Sequence, residues 1–181
     1  MPSGATIKQL ATIGVYGFTL DEFLRTLREA DVRLLLDVRQ RRGVRGPQYA
    51  WANAKRLQAA LAGAGIGYRH HPELAPTTEL RQLQYREDDR LGVGKRSRET
   101  LAPAYRERYL SEILERADMA DLVAELPDQG AAALFCVERD PEACHRSLIA
   151  DRIAAEYGVP VTHLRASAGA DSGGGFCQDR R

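Results

Sequence analysis

The sequence predicts a three-layer, Rossmann-like α/β fold with a mainly parallel sheet, and three observations predict it. Short apolar runs of strand length alternate with stretches of helical period, as strand–helix–strand crossovers require. The runs over 32–38 (broken by Arg33, and by Asp37 near its end) and 131–137 are otherwise apolar at consecutive positions, as expected of strands buried on both faces. Residues 75–127 carry helical periodicity and no strand-like run, which reads as a helical insertion before the fourth strand. The 181 residues suit one domain with its own core, predicted over 1–166. Residues 167–181, rich in Gly and Ser, are predicted to be a flexible tail.

The elements follow in order. Residues 11–14 form a short apolar run ending in glycine, the first strand. Thr19 and Glu22 have the spacing of a capping box, and Leu20, Phe23, Leu24 and Leu27 then form one apolar face of a helix. The second strand ends in Asp37-Val38-Arg39, followed by an Arg- and Gly-rich loop over 40–48. A helix over 51–62 turns Leu57 and Leu61 inward, and 66–70 supplies a third strand. Within the insertion, Tyr105, Tyr109, Leu110, Ile113, Leu114 and Ala117 share a face, and Asp118 caps a short helix. After the strand over 131–137, Asp140 with Pro141 at the first helical position begins a helix that should run to Tyr157 and stop at Gly158. Residues 159–164 complete the set as a last strand.

The formal charge of +1 excludes a uniformly basic nucleic-acid binder but conceals an asymmetry. Between Val38 and Pro72 there is no Asp or Glu, while seven Arg and Lys residues make that segment +7 and leave −6 for the remainder. Arg39, Arg41, Arg42 and Arg45 fall here together with Tyr49 and Trp51, and arginine interleaved with aromatics suits phosphate contact and base stacking. The competing reading is a solvated or internally paired arginine cluster. Residues 1–10 lack the apolar stretch of a secretory signal, and no run approaches the roughly 20 apolar residues of a membrane helix. Three cysteines, Cys136, Cys144 and Cys177, form no disulfide framework, so a cytoplasmic protein with reduced thiols and no membrane contact is expected.

Ligands of open α/β sheets bind beyond the carboxyl ends of the strands. Those ends should deliver Tyr16, then Asp37 and Arg39 with the basic loop, then His70 and His71, and finally Cys136, Glu138, Cys144, His145 and Arg146. Cys136 and Glu138 share a strand face by the period of two. Cys144, His145 and Arg146 fall in the first turns of a helix, where the dipole favours anions. Arg146 is expected to clamp a phosphate or carboxylate in bidentate fashion, and His145 to transfer protons. The bland alternative makes the cysteines small buried hydrophobes and pairs Arg146 with Asp37 or Glu138.

Several motifs fail. The step from Cys136 to Cys144 is not a zinc-knuckle spacing, so no metal is expected, although a composite site with His70 or His71 would be one route to it. Phosphatase and rhodanese loops place Arg six positions after Cys, where this chain has Glu142 and Ala150. Gly14-x-x-Gly17 lacks the dinucleotide spacing, so no cofactor is expected. A Walker loop would need glycine at Asp89. Gly92-Val93-Gly94, followed by Arg96 and Arg98, resembles a DNA-binding hairpin but reads better as a plain interhelical turn.

Thr12-Ile13-Gly14, Phe23, Asp37-Val38-Arg39, Gly65-Ile66-Gly67-Tyr68, Leu74 and above all Cys136-x-Glu138 with Cys144-His145-Arg146 resemble the Domain of Unknown Function 488 family over nearly the whole chain. The resemblance implies a compact α/β fold and no established activity. Around the expected site the chain departs from the family pattern at Val15-Tyr16-Gly17, Arg41-Arg42-Gly43 and Ala75-Pro76.

The leading expectation is an enzyme, a hydrolase or group transferase, acting on a phosphate-bearing partner such as a nucleotide or nucleic acid. His145, Glu138 and Cys144 would be catalytic. Arg39, Arg146, Arg41, Arg42, Tyr16, Asp37 and Cys136 would form the anion site. The alternatives are a non-catalytic nucleic-acid-binding module using residues 39–56 and a thiol-dependent sensor or metal-binding protein.

Overall fold

The structure, a computed structural model, describes residues 7–167; the predicted tail and Cys177 lie outside the described residues, Ser167 excepted. Strands β1 (Gln9–Ile13), β2 (Val32–Asp37), β3 (Gly67–His70), β4 (Ala131–Phe135) and β5 (Val161–His163) pair in parallel in the order β3-β2-β4-β1-β5. With the helices packed on it, this sheet makes the three-layer Rossmann-like α/β arrangement. All five residues of the central strand β4 are buried, which explains its unbroken apolar sequence.

Helix α1 (Leu20–Glu29) begins at the reciprocal Thr19–Glu22 capping box and buries Phe23 and Leu27. Phe23 stands at the centre of an aromatic cluster, 4.8 Å from Trp51 and 5.5 Å from Phe135 between ring centroids. Helix α2 (Ala54–Gly63) buries Leu57 and Leu61 but starts later than its periodicity suggests, because Pro47–Ala52 forms a separate 3-10 turn. The insertion contains α3 (Thr78–Leu91), α4 (Pro103–Glu112) and α5 (Met119–Glu125), the last capped by Asp118. Leu110 is exposed rather than on the buried face: α4 turns Tyr105 and Tyr109 inward, and the helical step of about 100° carries the next residue outward.

The last helix, α6 (His145–Tyr157), ends at Gly158 in the left-handed conformation, as expected, but does not begin at Asp140. Asp140 makes no cap bond; its carboxylate accepts from Arg139 and Arg165 instead, and Pro141–Ala143 forms a 3-10 turn. Cys144 then returns to extended backbone (φ −139°, ψ 143°), and the α-helix starts after it.

This topology opens a crevice. The connection leaving β2 runs outward to β3, whereas the one leaving its neighbour β4 runs the other way, through α6 to β5. Between strands whose connections diverge, nothing covers the carboxyl ends. The loop after β4 is held against the end of β1: Val15 and Tyr16 both donate backbone N–H groups to the Val137 carbonyl at 3.1 Å. Gly14 permits this approach, since a Cβ there would lie 1.9 Å from the Glu138 carbonyl oxygen. Gly14→Ala is therefore expected to cost about 1–3 kcal/mol through forced displacement of packed backbone. Urea denaturation checks this, and an unchanged midpoint would mean that the loop yields freely.

Candidate functional site

A cavity of about 410 Å³ occupies the crevice. Cys136, Glu138, Cys144 and His145 line it from the loop after β4 and the start of α6, Tyr16 from the loop after β1, and Arg39, Arg41 and Arg45 from the segment after β2. Lys95 and Arg98, from the connection between α3 and α4, also line it.

The floor is a compact cluster. His145 Nδ1 lies 3.9 Å from Cys136 Sγ and 3.8 Å from Cys144 Sγ, while Cys136 Sγ lies 3.5 Å from Glu138 Oε2. The other ring nitrogen, Nε2, lies 3.0 Å from the Val38 carbonyl oxygen. A carbonyl can only accept, so Nε2 carries the proton. In the neutral ring Nδ1 is consequently a bare lone pair aimed at both sulfurs. The chain folds locally this way because Cys136 continues the β4 ladder, its N–H donating to Ile13, while the turn over Pro141–Ala143 brings Cys144 back across it.

The electrostatics differentiate the two thiols. The hydrogen bond with Cys144 and burial push Cys136 well above the ordinary thiol range. Burial also opposes ionisation of Cys144, but the hydrogen bond from Cys136 and the charges of Arg146 and His145 outweigh it and hold this thiol well below that range. Burial raises Glu138. His145 is raised because Cys144 and Glu138 outweigh its burial.

Arg146 corrects an expectation. It is 0% exposed and does not line the cavity. Its Nη1 donates to the Glu138 carbonyl at 2.7 Å and its Nη2 to the Arg139 carbonyl at 3.0 Å, so it braces the loop instead of clamping an external anion. The alternative pairing with the Asp37 or Glu138 carboxylate does not occur either; main-chain oxygens take its donors. Asp37, also fully buried, stands behind the site and grips Arg39: Nε donates to Oδ1 at 2.9 Å and Nη2 to Oδ2 at 2.8 Å. Arg39 thus reaches the cavity wall as half of a buried ion pair, its third nitrogen bonded to the Ala52 carbonyl. Arg42 bonds the Tyr68 hydroxyl at 3.4 Å and is not part of the cavity lining. Tyr49 and Trp51, expected to stack bases, are packed into the protein, Tyr49 buried against Tyr16 and Trp51 against Phe23.

Two cations escaped sequence reasoning. Arg98 is buried, forms a tight two-pronged pair with Asp88, and approaches Glu138 at 3.5 Å; Lys95 approaches the same carboxylate at 3.8 Å. Arg98 thus pairs internally, from the connection between α3 and α4 that the sequence reads as a plain interhelical turn. The readable signal was on α3, where Leu80, Gln84 and Asp88 follow one another at intervals of four on the buried face. Two polar side chains in that stripe require internal partners. Gln84 donates to Asp88 at 2.8 Å and accepts from the Ala102 backbone. His70 and His71 are engaged elsewhere, with the Arg39 carbonyl and with Glu73 and Glu125 respectively.

The family described as Domain of unknown function DUF488 matches residues 19–153. The chain belongs to this family. Comparison with curated proteins and with solved structures gave no match. In this DUF488 chain the matched span runs from the cap of α1 into α6, so it contains the cluster, the Asp37–Arg39 pair and the insertion that carries Lys95 and Arg98. Tyr16 and Gly14 lie just outside it.

Removing one member of the Asp88–Arg98 pair leaves a buried charge uncompensated. Arg98→Met and Asp88→Leu should each destabilise the protein by about 3–5 kcal/mol, and the double variant should recover part of that loss. Denaturation midpoints of the three variants check this; strictly additive losses would show that the pair is not coupled.

Proposed function

We propose that the protein is an enzyme that hydrolyses, or transfers a group from, a phosphate-bearing small molecule such as a nucleotide. One observation carries the reading: the buried cluster of Cys144, His145 and Glu138 forms the floor of a cavity whose wall bears Arg41, Arg45 and Lys95. The cavity volume falls within the roughly 300–1,000 Å³ of small-molecule sites. Arg41 and Arg45, in the acid-free segment, suit bidentate contact with phosphate oxygens, and Lys95 adds a point charge.

Glu138 is the acid–base group in this reading. Arg98 and Lys95 hold its carboxylate at the cavity wall. In the hydrolytic form a water attacks the substrate and gives its proton to Glu138. The bond to the leaving group then breaks, and Glu138 returns the proton to the departing atom. Cys144 and His145 form the polar surface against which the reacting end is placed, and the Asp37–Arg39 pair positions the wall.

Burial of Arg39 and Tyr49, and the packing of half-buried Trp51 on Phe23, weaken the reading as a nucleic-acid module, since these residues of the 39–56 segment are engaged within the protein. What favours it is Arg96, whose guanidinium lies 5.3 Å from the ring centroids of both Tyr16 and Tyr49.

A panel of nucleotides and phosphate esters, assayed for product by chromatography, tests the proposal. Glu138→Gln is expected to lower kcat by about 10²–10⁴-fold in a chain that still folds. Arg41→Ala/Arg45→Ala should act mainly on KM. Absence of turnover on the whole panel, together with salt-dependent binding of single-stranded nucleic acid that Arg41→Ala/Arg45→Ala weakens, would overturn it in favour of the binding module.

A further inference from the structure

We infer that Cys136, Cys144 and His145 form a binding site for a thiophilic divalent cation, zinc by its ligand chemistry, with a fourth position open toward the cavity. The ligand atoms of the three residues all lie within 4.8 Å of one another. An ion bound tetrahedrally at about 2.3 Å from sulfur and 2.0–2.1 Å from nitrogen sets its sulfur and nitrogen ligands about 3.5 Å apart. The observed separations of 3.8 and 3.9 Å need to close by only a few tenths of an ångström.

Three further features agree. In its neutral form, the one that ligates metals, His145 directs Nδ1 at the sulfurs because Nε2 donates to the Val38 carbonyl, the outer bond by which metal-ligating histidines are oriented. Two thiolates and one imidazole are a soft donor set suited to zinc, and a 2+ ion balances the two sulfur charges inside the protein. Glu138 is held beside the cluster by Arg98 and Lys95, so it neighbours the open position without being required as a ligand. The eight-residue step between the cysteines conceals the set in the sequence; the turn at Pro141–Ala143 assembles it.

The inference deepens the proposed function and rests on it for its chemistry: the fourth position is where a water would be bound and made acidic enough to attack, with Glu138 as its proton acceptor. The binding claim itself rests on the three side chains alone.

The test uses the full chain with Cys177→Ser as background, reduced and freed of metal, and titrated with cobalt(II). One equivalent should bind, with a thiolate-to-cobalt charge-transfer band and the visible absorption of a tetrahedral ion, and zinc should displace it. Cys136→Ser, Cys144→Ser and His145→Ala should each weaken binding by more than the roughly 10–100-fold that loss of an outer-shell partner costs. Glu138→Gln should still bind one equivalent. Should a cysteine variant fail to fold, protection of Cys136 and Cys144 from alkylation by one equivalent of zinc, read by mass spectrometry in the background chain, makes the same measurement. A folded, reduced chain that gives no charge-transfer band, or Cys136→Ser with unaltered affinity, overturns the metal site. Turnover that survives both chelation and Cys136→Ser overturns the metal's part in the reaction and leaves the enzyme reading standing. One-equivalent binding with no turnover on any phosphate ester supports the metal site and counts against the enzyme reading.

Discussion

A guanidinium with no exposed surface must satisfy its charge and its donors inside the protein, and the way Arg146 does so organises the functional edge of this fold. Moving such an ion out of water costs several kcal/mol even after relaxation, and a hydrogen bond to a charged group returns about 1.5–3 kcal/mol. Arg146 obtains two such bonds, from the Glu138 and Arg139 carbonyls. Those carbonyls belong to the loop after β4, while Arg146 itself stands in the first turn of α6. One side chain therefore ties the Cys136–Glu138 arm of the site to the Cys144–His145 arm. A lysine could not replace it, because a single ammonium cannot span two successive carbonyls with the planar fork of a guanidinium. Nε is left without a partner, so the fit is incomplete on one side.

A second buried guanidinium braces the opposite wall. Arg39 is held by the Asp37 carboxylate, which also accepts from the Tyr68 hydroxyl at 2.6 Å, while the Arg39 carbonyl receives His70. This network fixes the backbone after β2, and with it the Val38 carbonyl that selects the tautomer of His145. The two braces differ in charge. Arg39 is neutralised by Asp37, whereas Arg146 is met by carbonyl dipoles and retains a positive field beside the sulfurs. That field favours ionisation of both sulfurs; the two thiols separate because Cys136 donates the hydrogen bond between them and Cys144 accepts it, although both touch the same imidazole.

The fold was legible because its signals are local. The Thr19–Glu22 box, the Gly158 stop and the unbroken apolar run of β4 each depend on residues a few positions apart. Half of the site was legible for the same reason: the two-residue period puts Cys136 and Glu138 on one face, and the chain places Cys144 next to His145. What could not be read was orientation. An arginine at the start of a helix looks like an anion clamp, and whether its guanidinium turns outward or into the loop is decided by carbonyls that only the tertiary fold supplies. Tyr49 and Trp51 failed likewise, because an aromatic beside arginines stacks on a base or on Phe23 according to what packs around it. Lys95 and Arg98 reach Glu138 across some forty residues of chain, beyond any periodicity, and only the polar stripe on α3 hinted at them.

The basic segment is where composition and structure diverge most. Its +7 charge is largely spent internally or elsewhere: Arg39 on Asp37, Arg42 on the Tyr68 hydroxyl, Arg69 on Glu125 at 3.7 Å. Lys55 and Arg56 lie exposed on α2, away from the cavity. That leaves Arg41 and Arg45 at the cavity, joined by Lys95 from a different part of the chain. An anion entering the crevice meets a field set by which cations lack a nearby acid, and net charge says little about that. Since Glu138 is the carboxylate facing these groups and is itself committed to Arg98 and Lys95, the excess at the wall remains positive. The segment's lack of acids therefore matters less for its total charge than for keeping Arg41 and Arg45 unneutralised, among the described residues, where the strand ends converge.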